Sequence, residues 1–136
     1  MNDKELVAQA IKMMDFSYVP YSRFHVGAAL LTAEGKVYTG CNIENAAYGP
    51  SNCAERTAFF KAVSEGERNF SAIAVVGGAE DKNGKPVIKD FCPPCGVCRQ
   101  VMAEFCKRDF RIILAKNPDE IKVFTLEQLL PESFSL

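Results

Sequence analysis

Two prolines, Pro93 and Pro94, stand directly before Cys95-Gly96-Val97-Cys98-Arg99, and no other stretch limits the fold of this chain as much. A residue that precedes proline is pushed towards extended backbone, so the chain enters this point straight and turns into a helix only beyond it. A helix from Cys95 to about Lys107 then sets both sulfurs beside its first turn. Unpaired N–H groups and the helix dipole favour thiolate there. Gly96 adds no side chain beside them, which leaves room for a ligand or a close backbone. A Cys-x-x-Cys pair alone is shared by redox and structural-zinc proteins.

The elements around this point alternate. Asn2 or Asp3 can cap a first helix from Asp3 to Phe16, with Leu6, Ala10, Met13 and Met14 as its apolar stripe, and Pro20 bars its continuation. Phe24 to Leu31 reads as a strand, Ala33-Glu34-Gly35-Lys36 as a turn and Val37 to Asn42 as the return strand. Ser51 or Asn52 can cap a helix from Cys53 to Glu65, which Gly66 ends in a left-handed conformation. Phe70 to Val76 is an apolar strand, and Gly77 to Asp90 reads as a long surface loop or ragged hairpin. Arg111 to Ala115 and Ile121 to Phe124 are strands on either side of an Asn117-Pro118-Asp119 turn, and Thr125 caps a short helix to Leu130. The order α-β-β-α-β-α-β-β-α predicts an α/β protein, a mixed sheet with helices packed on it.

Composition excludes several classes. With 136 residues the chain suits one domain, and a net charge of −1 with no long basic run gives no field for nucleic acid or an anionic membrane. The longest apolar run, about Val26 to Leu31, is far short of a membrane span. Met1 to Ala10 carries Asp3, Lys4 and Glu5 with no apolar region after it, against a secretory signal. Six cysteines in such a chain, three of them within Cys92 to Cys98, favour metal or redox chemistry over structural disulfides, while Cys41 and Cys106 read as small buried hydrophobes.

The second motif is Asn52-Cys53-Ala54-Glu55-Arg56. A third thiolate at another helix start completes three ligands and leaves the fourth tetrahedral position to water, as in catalytic rather than structural zinc sites. Glu55, two residues after Cys53, can aim its carboxylate at that water without binding the metal. Three thiolates and one Zn²⁺ sum to a net −1, and Arg56 can offset this by hydrogen bonding to a cysteine sulfur.

Cys53-Ala54-Glu55 followed by Pro94-Cys95-Gly96-Val97-Cys98 resembles the cytidine deaminase family, whose zinc signature pairs a His-x-Glu or Cys-x-Glu segment with Pro-Cys-x-x-Cys. Phe24-His25-Val26-Gly27-Ala28-Ala29-Leu30, Asn42-Ile43-Glu44-Asn45, Cys95 to Gln100 and Leu129-Leu130-Pro131 extend the likeness along nearly the whole chain. Cysteine at position 53 is similar to the short, homotetrameric branch. The resemblance implies a single three-layer α/β/α domain over residues 1–136 with a mixed, mostly five-stranded sheet. It implies one zinc per chain on Cys53, Cys95 and Cys98, with Glu55 as proton shuttle. Asn42 and Glu44 would bind the ribose hydroxyls, with Ile43 offering only backbone between them. Phe24 would stack on the pyrimidine, Ala54 would present backbone groups to the base, and Phe134 would reach a neighbouring subunit's nucleoside. The implied reaction is hydrolytic deamination of free cytidine and deoxycytidine, in cytoplasmic pyrimidine salvage.

Cys92 departs from the family pattern, because Cys92-x-x-Cys95 could also chelate and leaves the ligand pair formally open. Gly96, Arg99 and Gln100 fit that pattern when Cys95 and Cys98 are the pair. Three other readings use the same residues. A deaminase of another aminopyrimidine, such as a blasticidin-type antibiotic, shares the zinc chemistry. A thiol–disulfide oxidoreductase could use Cys92-Pro93-Pro94-Cys95. A structural zinc module would take Cys92 as a fourth ligand.

Overall fold

Local signals place most element boundaries. The Asn2 side chain accepts from the Glu5 N–H at 2.8 Å and the Glu5 carboxylate accepts from the Asn2 N–H at 3.2 Å, a reciprocal cap that starts α1, Asp3–Met13. A 3-10 turn, Met14–Phe16, carries it to the expected end. In this computed structural model, which describes residues 1–136, there follow β1 (Phe24–Thr32), β2 (Val37–Cys41), α2 (Ala54–Ser64), β3 (Phe70–Ala79), α3 (Gly96–Phe105), β4 (Arg111–Asn117), β5 (Glu120–Thr125) and α4 (Leu126–Leu129). Thr125 and Gln128 repeat the reciprocal cap at α4, and Gly66 takes the left-handed conformation after α2 at φ 98°.

The strands form one sheet in the order β2-β1-β3-β4-β5. Only β3 and β4 run parallel, and α3 makes the crossover between them. One face buries Leu6, Val7 and Ala10 of α1 and Met14 of the 3-10 turn against Ala29, Ala74, Val76 and Ile113. The other buries Ala58, Phe59 and Ala62 of α2 and Met102 of α3 against Leu30, Ile73, Val75 and Ile112. The result is three layers around a mixed five-stranded sheet. Burial on both faces explains why β3 and β4 read as continuous apolar runs.

Phe59 is fully buried and packs edge-on against Phe70, with ring centroids 5.1 Å apart, and beside Phe105 and Phe110. This cluster roots α2 on the sheet, and truncating Phe59 to alanine costs about 3–5 kcal/mol. Two glycines bring the helices unusually close. A Cβ on Gly40 of β2 would collide with the Ala54 carbonyl oxygen, and one on Gly27 of β1 with the Ala10 carbonyl oxygen.

Three boundaries differ from the sequence reading. β3 continues through Gly77, Gly78 and Ala79, which pair with Val26, His25 and Phe24, so the ragged hairpin begins only at Glu80. The glycines serve close approach rather than a turn, since a Cβ on Gly78 would overlap the Val87 carbonyl oxygen. Cys53 rather than Ser51 or Asn52 is the cap residue of α2. Asn42 lies just beyond β2, and its side chain does the pairing that its strand position was expected to do. No helix is long and apolar enough to cross a membrane.

Candidate active site

The starts of α2 and α3 meet on one face of the sheet. Cys53 and Cys95 are the respective cap residues, both extended, and neither uses its side chain to bond its own helix. Both sulfurs are therefore free to point at a common centre. Cys53 Sγ lies 3.8 Å from Cys95 Sγ, and Cys95 Sγ lies 3.5 Å from Cys98 Sγ. All three sulfurs fall within 4.8 Å of one another. Sulfurs bound tetrahedrally to zinc at about 2.3 Å stand about 3.8 Å apart, so this spacing fits the ion. Cys92 stays outside the cluster, which removes the fourth sulfur that a closed structural site would need.

The electrostatics also suit a cation. Hydrogen bonding from the Cys98 thiol, opposed by burial and reinforced by Arg56, holds the Cys53 thiol down to about 5. Arg56 donates from Nη2 to Cys53 Sγ at 3.3 Å, the contact expected of it, while its buried Nε has no partner. The Cys98 thiol is pushed up by the same hydrogen bond to Cys53 and by burial. A Cys53 thiolate held by a neighbouring thiol and a guanidinium is a sulfur ready to take a divalent cation in place of the Cys98 proton. By contrast, burial first, and then the nearby Glu55 and Cys53 charges, push the Cys92 thiol up to about 11.

Glu55, in the first turn of α2, is only 4% exposed. Burial pushes its carboxyl up to about 7, against hydrogen bonding from its own N–H, and the Cys53 charge adds to the rise. A carboxyl near neutrality next to a cation site is equipped to take and return protons. Thr57, one turn after Cys53, was not singled out from sequence. Its hydroxyl lies 3.0 Å from the Cys41 carbonyl oxygen and accepts from Asn52 Nδ2 at 3.2 Å, tying β2 to the start of α2. A polar residue on the inward face of a helix was the one available signal.

A cleft of about 560 Å³ opens over this centre. Asn42, Glu44, Cys53, Ala54, Glu55, Arg56 and Cys95 all line it, and so do Tyr48, Cys92 and Val97. Cys98 lies beneath, at 1% exposure. Glu44 hangs from two backbone amides: its Oε1 accepts from the Tyr21 and Ser22 N–H groups, each at 3.1 Å. Burial works to raise the Glu44 carboxyl, but hydrogen bonds from Ser22 and Tyr21 outweigh it and keep the carboxyl ionised, below its ordinary value. Asn42 spends its amide on β1, accepting from the Val26 N–H and donating to the Phe24 carbonyl, each at 2.9 Å.

Three expected residues stand elsewhere. Ile43 exchanges both backbone bonds with Asn52 at 2.8 and 2.9 Å, so its backbone is not free for a ligand, and its side chain is exposed. Phe24 lines a separate, smaller depression with Gly77 and Phe91. Phe134 is 70% exposed beside Ala103, Cys106 and Lys107, at the end of α3 opposite its cysteines. Ten helical residues put it about 15 Å from its own chain's sulfurs.

Comparisons with known proteins agree with this geometry. The family model described as the cytidine and deoxycytidylate deaminase zinc-binding region matches residues 1–114. Cytidine deaminase of Sporosarcina psychrophila is 50% identical over 135 residues, covering 99% of this chain and 93% of that one. Cytidine deaminase of Halalkalibacterium halodurans is also 50% identical over 135 residues, with 99% and 96% covered. The crystal structure of cytidine deaminase from Burkholderia pseudomallei has a TM-score of 0.86 at 44% identity, covering 98% of this chain and 100% of that one. Similarity to blasticidin-S deaminase of Bacillus cereus is lower, at 29% identity over 133 residues.

Proposed function

The chain belongs to the cytidine and deoxycytidylate deaminase zinc-binding family, and from that premise we propose that it hydrolyses the C4 amine of free cytidine and deoxycytidine to give uridine, deoxyuridine and ammonia. The observation that carries this reading is a nearly buried Glu55 carboxyl beside three converging sulfurs, in a cleft whose other wall holds an ionised Glu44. Cys53, Cys95 and Cys98 hold one zinc per chain, with Arg56 bonded to the Cys53 sulfur. The bound ion supplies Lewis-acid activation of water near neutral pH.

The protein's own groups do the rest. Glu55 accepts a proton from water and delivers it to N3 of the cytosine ring as the water oxygen bonds to C4. It then carries the second proton of that oxygen to the amine, whose bond to C4 breaks to release ammonia. Ala54, at the first turn of α2, offers backbone groups to the base. Glu44 accepts from ribose hydroxyls through the oxygen that Tyr21 and Ser22 leave free, and Asn42 steadies that edge with what its bonds to β1 leave over. Phe24 stacks on the pyrimidine only if the wall by Gly77 shifts, and Ile43 contributes shape rather than hydrogen bonds.

Residues 1–136 act as one domain, in a homotetramer with shared sites. Support comes from Phe134, whose exposed ring lies at the end of α3 opposite its cysteines and is free to cover a neighbour's cleft rather than its own. A dry lid of that kind strengthens the electrostatics around Glu55. Six free cysteines suit the reducing cytoplasm, where deamination of free nucleosides serves pyrimidine salvage. Zinc analysis combined with ammonia release from cytidine tests the assignment. One zinc per chain with equimolar uridine and ammonia supports it, whereas a zinc-loaded protein inert towards both nucleosides overturns it.

A further inference from the structure

His25, the sole histidine of the chain, lies in β1 and faces away from the cleft, and no step above uses it. It is nearly buried, yet both ring nitrogens are engaged. Nε2 meets Glu80 Oε1 at 2.8 Å and Nδ1 meets the Ser17 hydroxyl at 2.5 Å. Glu80, at the end of β3, also grips the start of β1. Its Oε2 accepts from Arg23 Nη1 at 3.2 Å, and its N–H donates to the Arg23 carbonyl at 3.1 Å. Arg23 itself sits at φ 55°, a left-handed conformation that a long side chain adopts only when its surroundings hold it.

These bonds grip the two ends of one loop. Ser17 is where the chain leaves the 3-10 turn after α1, and Arg23 is where it enters β1. Between them lie Tyr21 and Ser22, whose amides hold the Glu44 carboxylate. Tyr18 in the same loop accepts from the Glu44 N–H at 2.8 Å and donates to the Asn42 carbonyl at 3.0 Å. Within the loop, buried Val19 accepts from the Arg23 N–H at 3.0 Å, so the turn that presents the Tyr21 and Ser22 N–H groups is closed on Arg23, the residue Glu80 grips.

We propose that His25 and Glu80 are positioning residues for the sugar side of the cleft, which they serve by fixing the 17–23 loop that aims Glu44. The inference rests on the reading of Glu44 as the ribose-binding carboxylate. The pair touches neither substrate nor metal, so its loss should weaken nucleoside binding while zinc and the chemical step persist.

A double-mutant cycle tests this through KM and kcat for cytidine, with zinc content alongside. His25→Leu should raise KM about tenfold, keep kcat within about twofold and retain one zinc per chain. Glu80→Gln, which preserves shape, should move KM the same way by less, and it carries the cycle if His25→Leu does not fold. In a Glu44→Gln background neither change should raise KM further, because the group they aim is gone. Full additivity with Glu44→Gln, or a fall in zinc and kcat in place of the KM rise, overturns the positioning role alone. A KM unmoved by Glu44→Gln itself overturns the ribose reading and the inference with it.

Discussion

The two walls of the cleft are built in opposite ways. On the metal side, Cys53, Glu55, Arg56, Cys95 and Cys98 all sit at the starts of two helices, each motif spanning only residues 53–56 or 95–98. On the sugar side, Glu44 is held by amides 22 and 23 residues earlier, and Asn42 by backbone 16 and 18 residues earlier. The first wall is fixed by helix geometry and by burial on the sheet. The second depends on loops whose placement is borrowed from elsewhere. In the function proposed above, proton transfer therefore sits on helix starts, and sugar recognition on loops that long-range bonds hold in place.

That contrast predicts a separation of effects. Cys53→Ala or Cys98→Ala should abolish both zinc binding and deamination, while Cys92→Ala should keep the metal, as elemental analysis would read. Metal loss from Cys92→Ala would redraw the ligand set. Glu55→Gln should keep zinc and fold but lower kcat by at least about 10²–10⁴-fold. Normal turnover in that variant would remove Glu55 from the proton path. Arg56→Gln should weaken zinc by about 10–100-fold, measured by competition with a chelator, because the Cys53 sulfur loses its charged donor. On the other wall, Glu44→Gln should raise KM for cytidine by about tenfold with zinc unchanged. Loss of zinc there would mean that the walls are not independent. The smallest effect is expected from Phe134→Ala, a few-fold rise in KM at full zinc content. An active monomer in sedimentation would sever Phe134 from any site but leave the two-wall contrast intact.

The same division explains what could be read from the sequence. Reciprocal caps at Asn2 and Thr125, the left-handed Gly66 and the two cysteine motifs are local, and each appears where the residues imply. The sheet and its helices followed from alternation. What was not legible depends on partners distant in sequence. Gly77-Gly78 looks like a loop until Cys92 and Val87 are seen pressed against it. Ile43 seems to offer free backbone until Asn52 pairs with it. Phe24 seems suited to a base, but its ring lines the depression beside the cleft. His25 and Glu80 are 55 residues apart, and neither carries a local signal.

The three sulfurs also have a mechanical meaning. Cys53 belongs to the part of the chain that forms β1, β2 and α2, whereas Cys95 and Cys98 open the part that forms α3, β4, β5 and α4. A metal that bridges Cys53 to Cys95 closes a loop across 42 residues of sequence. In chain-entropy terms a closure of that length is worth about 4 kcal/mol, on the scale of a structural disulfide. The ion is then a removable rivet between two parts of the polypeptide, so chelation should lower the thermal midpoint as well as silence the enzyme.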